Sequence, residues 1–227
     1  MNHLIELQNV YKIYQTGTEQ IRALDGVTLT IDPGEYVAIV GQSGSGKSTL
    51  MNIIGCLDVP SKGDYRLEDQ NILQMSDSRL SDIRNHQIGF VFQSFHLIGG
   101  LDALENVEMP LIYRGMGRRY RRKIAKDSLE RVGLSQRVHH RPAEMSGGQQ
   151  QRVAIARAIA AHPPLILADE PTGNLDSHSR EDIINILQGL NREGHTVVLI
   201  THDPEIAACA RRVVSMRDGR IIADDWH

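Results

Sequence analysis

At 227 residues, with 41 % hydrophobic and 23 % charged side chains, the chain has the make-up of one large folded domain, or of one domain carrying an inserted lobe, and not of a disordered segment. Its formal net charge of −3 gives no global attraction to nucleic acid, so any anion must be held by local geometry. Only Cys56 and Cys209 are present, without C-x-x-C spacing, which argues against a disulfide framework or a structural zinc and for two small core residues.

The first residues show no basic-to-apolar signal pattern, and no apolar run approaches the roughly 20 residues of a spanning helix, so work at a membrane would need a docking partner. Residues 4–14 and 27–31 alternate apolar and polar side chains, as in Val27-Thr28-Leu29-Thr30-Ile31, which predicts half-buried antiparallel strands. Pro33-Gly34 marks a turn, and Tyr36-Val37-Ala38-Ile39-Val40 predicts a buried strand. That strand runs into Gly41-Gln42-Ser43-Gly44-Ser45-Gly46-Lys47-Ser48, and residues 48–54 read as a helix. The octapeptide matches the phosphate-binding loop G-x-x-x-x-G-K-[ST] in the strand, loop, helix context that the motif requires. Its glycines let backbone N–H groups aim at a polyphosphate on the helix start, Lys47 adds a charge for the terminal phosphates, and Ser48 offers a hydroxyl to magnesium. A glycine-rich turn without a ligand is the plain alternative, and the complete pattern with both flanks counts against it.

Further strands are predicted at 64–67 and 88–92, with a polar helical stretch around 77–84 between them and Gln93 directly after the second. From 94 to 161 strand signals fade: Ile124, Ala125, Ser128, Leu129 and Val132 share one helix face, which Gly133 can end in a left-handed cap. The same helix carries the basic run Arg118, Arg119, Arg121, Arg122, Lys123 and Lys126, readable as a solvated face or as a contact for a membrane partner or anionic headgroups. Only Tyr120 interleaves with these charges, so nucleic acid is not expected as a partner. In Met145-Ser146-Gly147-Gly148-Gln149-Gln150-Gln151-Arg152 the serine and two glycines open another helix, a second phosphate-binding helix start that one nucleotide in one loop does not require.

After Pro163-Pro164, the apolar residues 165–168 end in Asp169-Glu170, where Asp169 can enter a magnesium shell and Glu170 can orient and polarise a water. Ile183, Ile184, Ile186, Leu187 and Leu190 predict a helix, and residues 196–200 a buried strand ending at Thr201-His202. Asp203-Pro204 suits a helix start, and Asp218-Gly219 a hairpin.

In order and spacing, residues 41–48, Gln93, Ser146-Gly147-Gly148-Gln149, residues 165–170, Asn174-Leu175-Asp176 and His202 resemble an ATP-binding cassette (ABC) ATPase over essentially the whole chain. The resemblance implies an α/β fold: a P-loop NTPase with a RecA-like core and antiparallel β lobe (1–93 and 162–227) and an inserted α-helical subdomain (94–161). It implies ATP and Mg2+ as cofactors and a head-to-tail dimer with a second copy. Each ATP would lie between one copy's loop, including Gly41, Ser43, Gly44, Ser45, Gly46, Lys47, Ser48 and Thr49, and the other's residues 146–149. By the same resemblance Tyr14 stacks on adenine, Gln93 reaches metal and water, Asp176 lies in a loop crossing the interface, and His202 contacts the γ-phosphate and Glu170. Met145 stands where the family usually has leucine, a swap of similar volume. His139, His140, His162 and His195 match no motif and are expected at the surface.

Residues 52–58, 89–93, 103–107 and the triple glutamine 149–151 resemble the ATPases of MacB-type macrolide and peptide exporters and of the lipoprotein-release (Lol) system. That branch implies a cytoplasmic ATPase held at the inner face of the membrane by an integral-membrane permease. An ATPase regulating a cell-wall enzyme, or a soluble ABC protein acting on DNA or ribosomes, are the alternatives; the coiled coils, zinc modules or second cassette usual in the latter are not seen.

Overall fold

The alternating segments at the start of the chain pair as β1 (Ile5–Thr16) and β2 (Glu19–Ile31), antiparallel with Ile5 opposite Ile31 and Tyr14 opposite Ile21, in a computed structural model that describes residues 3–17 and 19–227. β2 begins well before Val27, where the alternation starts, because its first residues are exposed and nothing there selects apolar side chains. β3 (Tyr36–Gly41) leads into the 41–48 loop and α1 (Lys47–Ile54). β4 (Lys62–Leu67) and β5 (Gln70–Asn71) complete an antiparallel sheet ordered β2-β1-β4-β5. The buried Tyr65 hydroxyl of β4 donates to the Ile54 carbonyl at 2.6 Å, fastening this sheet to the end of α1.

There follow α2 (Asp77–Gln87), β6 (Ile88–Phe92), α3 (Ala103–Tyr113), α4 (Arg118–Arg131), α5 (Gly147–Ile159), β7 (Leu165–Asp169), α6 (Ser177–Arg192), β8 (Thr196–Thr201), α7 (Pro204–Ala207), β9 (Arg212–Arg217) and β10 (Arg220–Trp226). Among the described residues a six-stranded second sheet has the order β10-β9-β3-β8-β7-β6, parallel throughout except for β10 at its edge. Its central strands are apolar on both faces, as parallel strands covered on two sides must be. Tyr36, Ala38, Ile166, Ala168, Val197 and Leu199 face a core shared with α3, α4, α5 and α6. Val37, Ile39, Leu165, Leu167, Val198 and Ile200 face a second core, shared with α1, α2 and the antiparallel sheet. The helical stretch 94–161 is thus joined to the parallel sheet by one continuous core. The two sheets are pinned at one corner by Arg212, almost wholly buried, which donates to Glu35 Oε2, both Asp224 oxygens and the Thr30 carbonyl, each at 2.8 Å.

Local signals set the helix ends. Asp102 and Glu105 form a capping box on α3, and α4 stops where Gly133 turns left-handed at φ 75° and Leu134 N–H donates to the Leu129 carbonyl. The basic run on α4 divides. Arg121 turns inward, its Nε 3.7 Å from buried Glu108 and its Nη1 donating to the Met116 carbonyl, whereas Arg118, Arg119, Lys123 and Lys126 are exposed. Of the four histidines expected at the surface, His139 and His162 are exposed and His140 and His195 are partly so, with His195 Nδ1 2.7 Å from the Pro163 carbonyl. Both cysteines are free; Cys56 is buried, which pushes its thiol up to about 11.

Candidate active site

The parallel sheet delivers its chemical residues at one edge. The 41–48 loop, Asp169-Glu170, His202 and Gln93 all follow the carboxyl ends of adjacent strands β3, β7, β8 and β6, where open α/β sheets bind ligands. A cavity of about 390 Å³ opens there, lined by Ser43, Gly44, Gly46, Lys47, Ser48 and Thr49 of the loop and α1, by Asp169, Glu170, Ile200 and His202, and by Ile21, Arg22 and Ala23 of β2. The β2 residues carried no signal in the sequence; they reach the site because the antiparallel sheet folds over it.

The loop is shaped from behind. Gly46 sits at φ 100°, and a Cβ built on it would lie 2.5 Å from the Ala23 carbonyl, so only glycine fits. The β9–β10 turn supports the same region: Gly219 N–H donates to the Ser45 carbonyl at 3.0 Å and its own carbonyl accepts from Asp25 N–H at 2.9 Å. Ser45 is accordingly buried against the loop. Lys47 is also buried, with Nζ donating to the carbonyls of Gly41 (2.7 Å) and Gln42 (2.8 Å). The ammonium is therefore held by the loop's own backbone.

Across the cavity, burial raises the Asp169 pKa, neighbouring Glu170 adds to the rise, and Lys47 opposes it. Two adjacent carboxylates in a half-dry site favour a cation. Glu170 holds a left-handed backbone (φ 45°) with its N–H on the Ile200 carbonyl, and its Oε1 lies 2.7 Å from His202 Nδ1. That contact aims the carboxylate across the cavity from an exposed histidine. Tyr14 does not line the cavity itself but lies opposite Ile21, which does. Its hydroxyl donates to Asp58 Oδ2 at 2.9 Å and Lys12 Nζ lies 5.0 Å from its ring centroid. Its pKa is raised by burial first and by Asp58 second.

Other expected site residues are elsewhere. Gln93 does not line the cavity; its Nε2 donates to Asn174 Oδ1, and Asn174 Nδ2 donates back to the Gln93 carbonyl, both at 3.3 Å. Asp176 is the N-cap of α6, accepting from Ser179 N–H at 3.0 Å and from Ser179 Oγ at 2.7 Å, which lowers its pKa. Ser146 and Gln149 form a capping box that opens α5. Gly147 is half-exposed there and Gly148 is buried against α6. Among the described residues, none of 146–149 lines the 390 Å³ cavity. Met145, buried, packs in the helical core.

Ser48 and Asp169 fit magnesium, a hard cation that needs few protein oxygens when a substrate phosphate supplies others. Among the described residues no cluster of three or more His, Cys, Asp or Glu is arranged as a metal cage, and no helix is long and apolar enough to cross a membrane.

Residues 24–173 match the family model described as ABC transporter. The chain is 52 % identical over 221 residues to a macrolide export ATP-binding/permease protein MacB of Hyphomonas neptunium, covering 97 % of this chain and 34 % of that protein. It is 53 % identical over 219 residues to an uncharacterized ABC transporter ATP-binding protein, YknY, of Bacillus subtilis, covering 96 % of this chain and 95 % of that one. The chain therefore spans about a third of the MacB relatives and nearly all of YknY. In structure it is similar to a dimeric, post-hydrolysis ATP-binding cassette, MJ0796, bound to ADP and Pi, with a TM-score of 0.91 and 47 % identity over 98 % of both chains.

Proposed function

The chain belongs to the ABC transporter family, and from that premise we propose that it is the ATPase of a two-copy motor that drives an integral-membrane permease in export. The observation that carries the two-copy reading is the separation of two phosphate-binding helix starts: the cavity over α1 includes no residue of 146–149. A head-to-tail pair of copies brings Ser146, Gly147 and Gly148 of one over the nucleotide held by the other, where the free N–H groups of α5 face the terminal phosphate. The dimeric cassette MJ0796 supports this arrangement.

Within one copy, residues 41–48 cradle the β- and γ-phosphates and Lys47 turns from the Gly41 and Gln42 carbonyls to them. Ser48 and Asp169 hold magnesium. When bound, that ion would supply positive charge against the negative charge that develops as the γ-phosphoryl leaves. Glu170 takes the proton of the attacking water while His202, at 2.7 Å, fixes the carboxylate and faces the γ-phosphate. Tyr14 stacks on the base. Gln93 serves the metal and water only when it leaves Asn174, and Asp176, on the exposed side of its cap, lies in the loop that meets the second copy.

A groove of about 730 Å³ between α2, β6, α3 and α5 is lined by apolar Leu57, Phe90, Phe92, Met109 and Tyr113 and by polar residues such as Asp82, Arg84 and His86, a mixed surface suited to an amphipathic segment of the permease. Its floor, β6, leads directly to Gln93, so a docked permease would sense the loop that the nucleotide site uses. Docking there places the chain on the cytoplasmic face of the membrane. The MacB relatives support export, and their name pairs the ATP-binding part with a permease.

The test is Glu170→Gln. It should bind ATP, accumulate as a dimer in size-exclusion chromatography with ATP and Mg2+, and lose about 10²–10⁴-fold in turnover. Hydrolysis at the unaltered rate removes Glu170 from this role. Purification of the chain with its membrane partner should recover a multi-span permease; ribosomes or DNA instead would favour a non-transport function.

A further inference from the structure

One helix touches both loops that the proposed chemistry uses. At the start of α5, a Cβ built on Gly147 would lie 3.4 Å from Leu175 Cδ2 and 3.7 Å from Phe95 Cζ, so the landing place proposed for the second copy's phosphate abuts the 170–175 loop and the 93–96 loop at once. One turn further, the fully buried Gln151 donates from Nε2 to the carbonyl of Pro171, the residue after Glu170, at 2.7 Å. Near the other end, Arg157 donates to the carbonyls of Phe95 at 2.9 Å and His96 at 2.6 Å. Those two residues carry the chain past Gln93 in successive left-handed conformations, φ 60° and 47°. The paired Gln93–Asn174 bonds close the figure by tying the two loops together.

These contacts form a triangle: α5, the loop after Gln93, and the loop after Glu170. Its α5 side chains are unfavourable choices for packing alone. Gln151 Oε1 is buried without a partner, and burial lowers the Arg157 pKa, so each carries a desolvation cost that an apolar residue would avoid. The left-handed backbone at Glu170 (φ 45°) is a further strained element beside the same bond.

We propose that Gln151 and Arg157 are positioning residues: through them α5 sets the loops of Glu170 and Gln93 in its own copy according to whether a phosphate from the other copy sits on its start. Hydrolysis at the two sites is then interdependent. This rests on the two-copy function proposed above and goes beyond it, because it names the side chains that carry the coupling.

The experiment measures steady-state ATPase rate against ATP concentration, and ATP-driven dimerisation, for the intact chain and for Gln151→Met and Arg157→Met. The intact chain should show a Hill coefficient above 1. Both variants should still dimerise with ATP, keep KM within about twofold, lose about tenfold or more in kcat, and fall toward a Hill coefficient of 1. A kcat within about twofold of the unaltered chain in both variants, or a Hill coefficient of 1 in the unaltered chain, overturns the proposal. Should a methionine variant not fold, Gln151→Glu decides. Its protonated carboxyl can donate to the Pro171 carbonyl and its carboxylate cannot, so kcat relative to the unaltered chain should rise as pH falls from about 8 to about 6; a flat ratio overturns the proposal. Conversely, Arg157→Lys, which keeps a donor near Phe95 and His96, should recover part of the kcat lost in Arg157→Met. An unaltered chain that neither hydrolyses ATP nor dimerises with it refutes the proposed function as well as the inference, whereas a working chain with unaffected variants overturns the inference alone.

Discussion

Replacing Gly147 by aspartate tests the two-copy site cleanly, and the same change at Gly148 does not. A Cβ on Gly148 would lie 2.5 Å from Ser179 Oγ and 2.8 Å from Ser179 Cβ, so any side chain there pushes α5 off α6 and destabilises the single copy by about 1–3 kcal/mol. At Gly147 the nearest atom would be Leu175 Cδ2 at 3.4 Å, a contact the leucine can accommodate. A carboxylate in the first turn of a helix is even mildly favourable, by about 0.3–1 kcal/mol. The fold should therefore survive, and the penalty should fall on association. If a phosphate of the second copy's nucleotide comes within about 4 Å of the new carboxylate, like charges at an effective dielectric of about 20 repel by about 4 kcal/mol per site, or about 8 kcal/mol over the two sites of the dimer, on the order of a millionfold. The assay is calorimetric ATP binding at low protein concentration, with size-exclusion and light scattering for the dimer, both in a Glu170→Gln background so that turnover does not drain the complex. Gly147→Asp should bind ATP as a monomer with unchanged affinity and fail to dimerise at protein concentrations about a thousandfold above those the unaltered chain needs. Dimerisation at the unaltered concentration, or loss of monomer binding, refutes the head-to-tail site.

Beside the cavity, Tyr14→Ala should weaken nucleotide binding by about 1–3 kcal/mol in a fluorescence titration, while Tyr14→Phe should bind nearly as well, because the hydroxyl serves only to hold the ring on Asp58. Unchanged affinity in Tyr14→Ala would end the stacking role. For Asp169, burial and Glu170 raise the native pKa above the unfolded value of about 3.9, so the native state binds more protons than the unfolded one in that window. Stability without nucleotide should then fall as pH rises through the raised native value and stay lower at neutral pH. Asp169→Asn should flatten this fall in urea titrations between about pH 4 and 7 and be the more stable form at neutral pH; parallel pH dependence of the two proteins would show that Asp169 is not strained.

How much of this was legible before the structure follows from the range of the forces involved. The strands of the parallel sheet are apolar on both faces because helices cover both, so β3, β7 and β8 stand out as uninterrupted runs. The phosphate loop was legible because binding a phosphate on a helix start imposes glycine and lysine at fixed local spacing. The first half of β2 was not, since its exposed residues pair by backbone alone, yet Ile21, Arg22 and Ala23 line the cavity. Arg121 was grouped with its basic neighbours because spacing cannot show that buried Glu108 waits on the adjacent helix.

The signature glycines show where pattern and physics part. Read as letters, Gly147 and Gly148 do the same thing, allowing a phosphate to approach the start of α5. In the fold they answer different demands. Gly148 is small because Ser179 of α6 occupies the space a side chain would need, a requirement of the single copy. Gly147 is small with nothing in its own copy closer than van der Waals contact, so its lack of a side chain leaves the start of α5 open. That opening is what the proposed approach of a second copy's phosphate requires. One turn further along, Gln151 points inward to the loop of Glu170. In the proposed two-copy arrangement, one end of one helix thus holds an open approach for a partner's ligand beside a buried bond to the carboxylate loop of its own site, which is the arrangement that coupling between two sites demands.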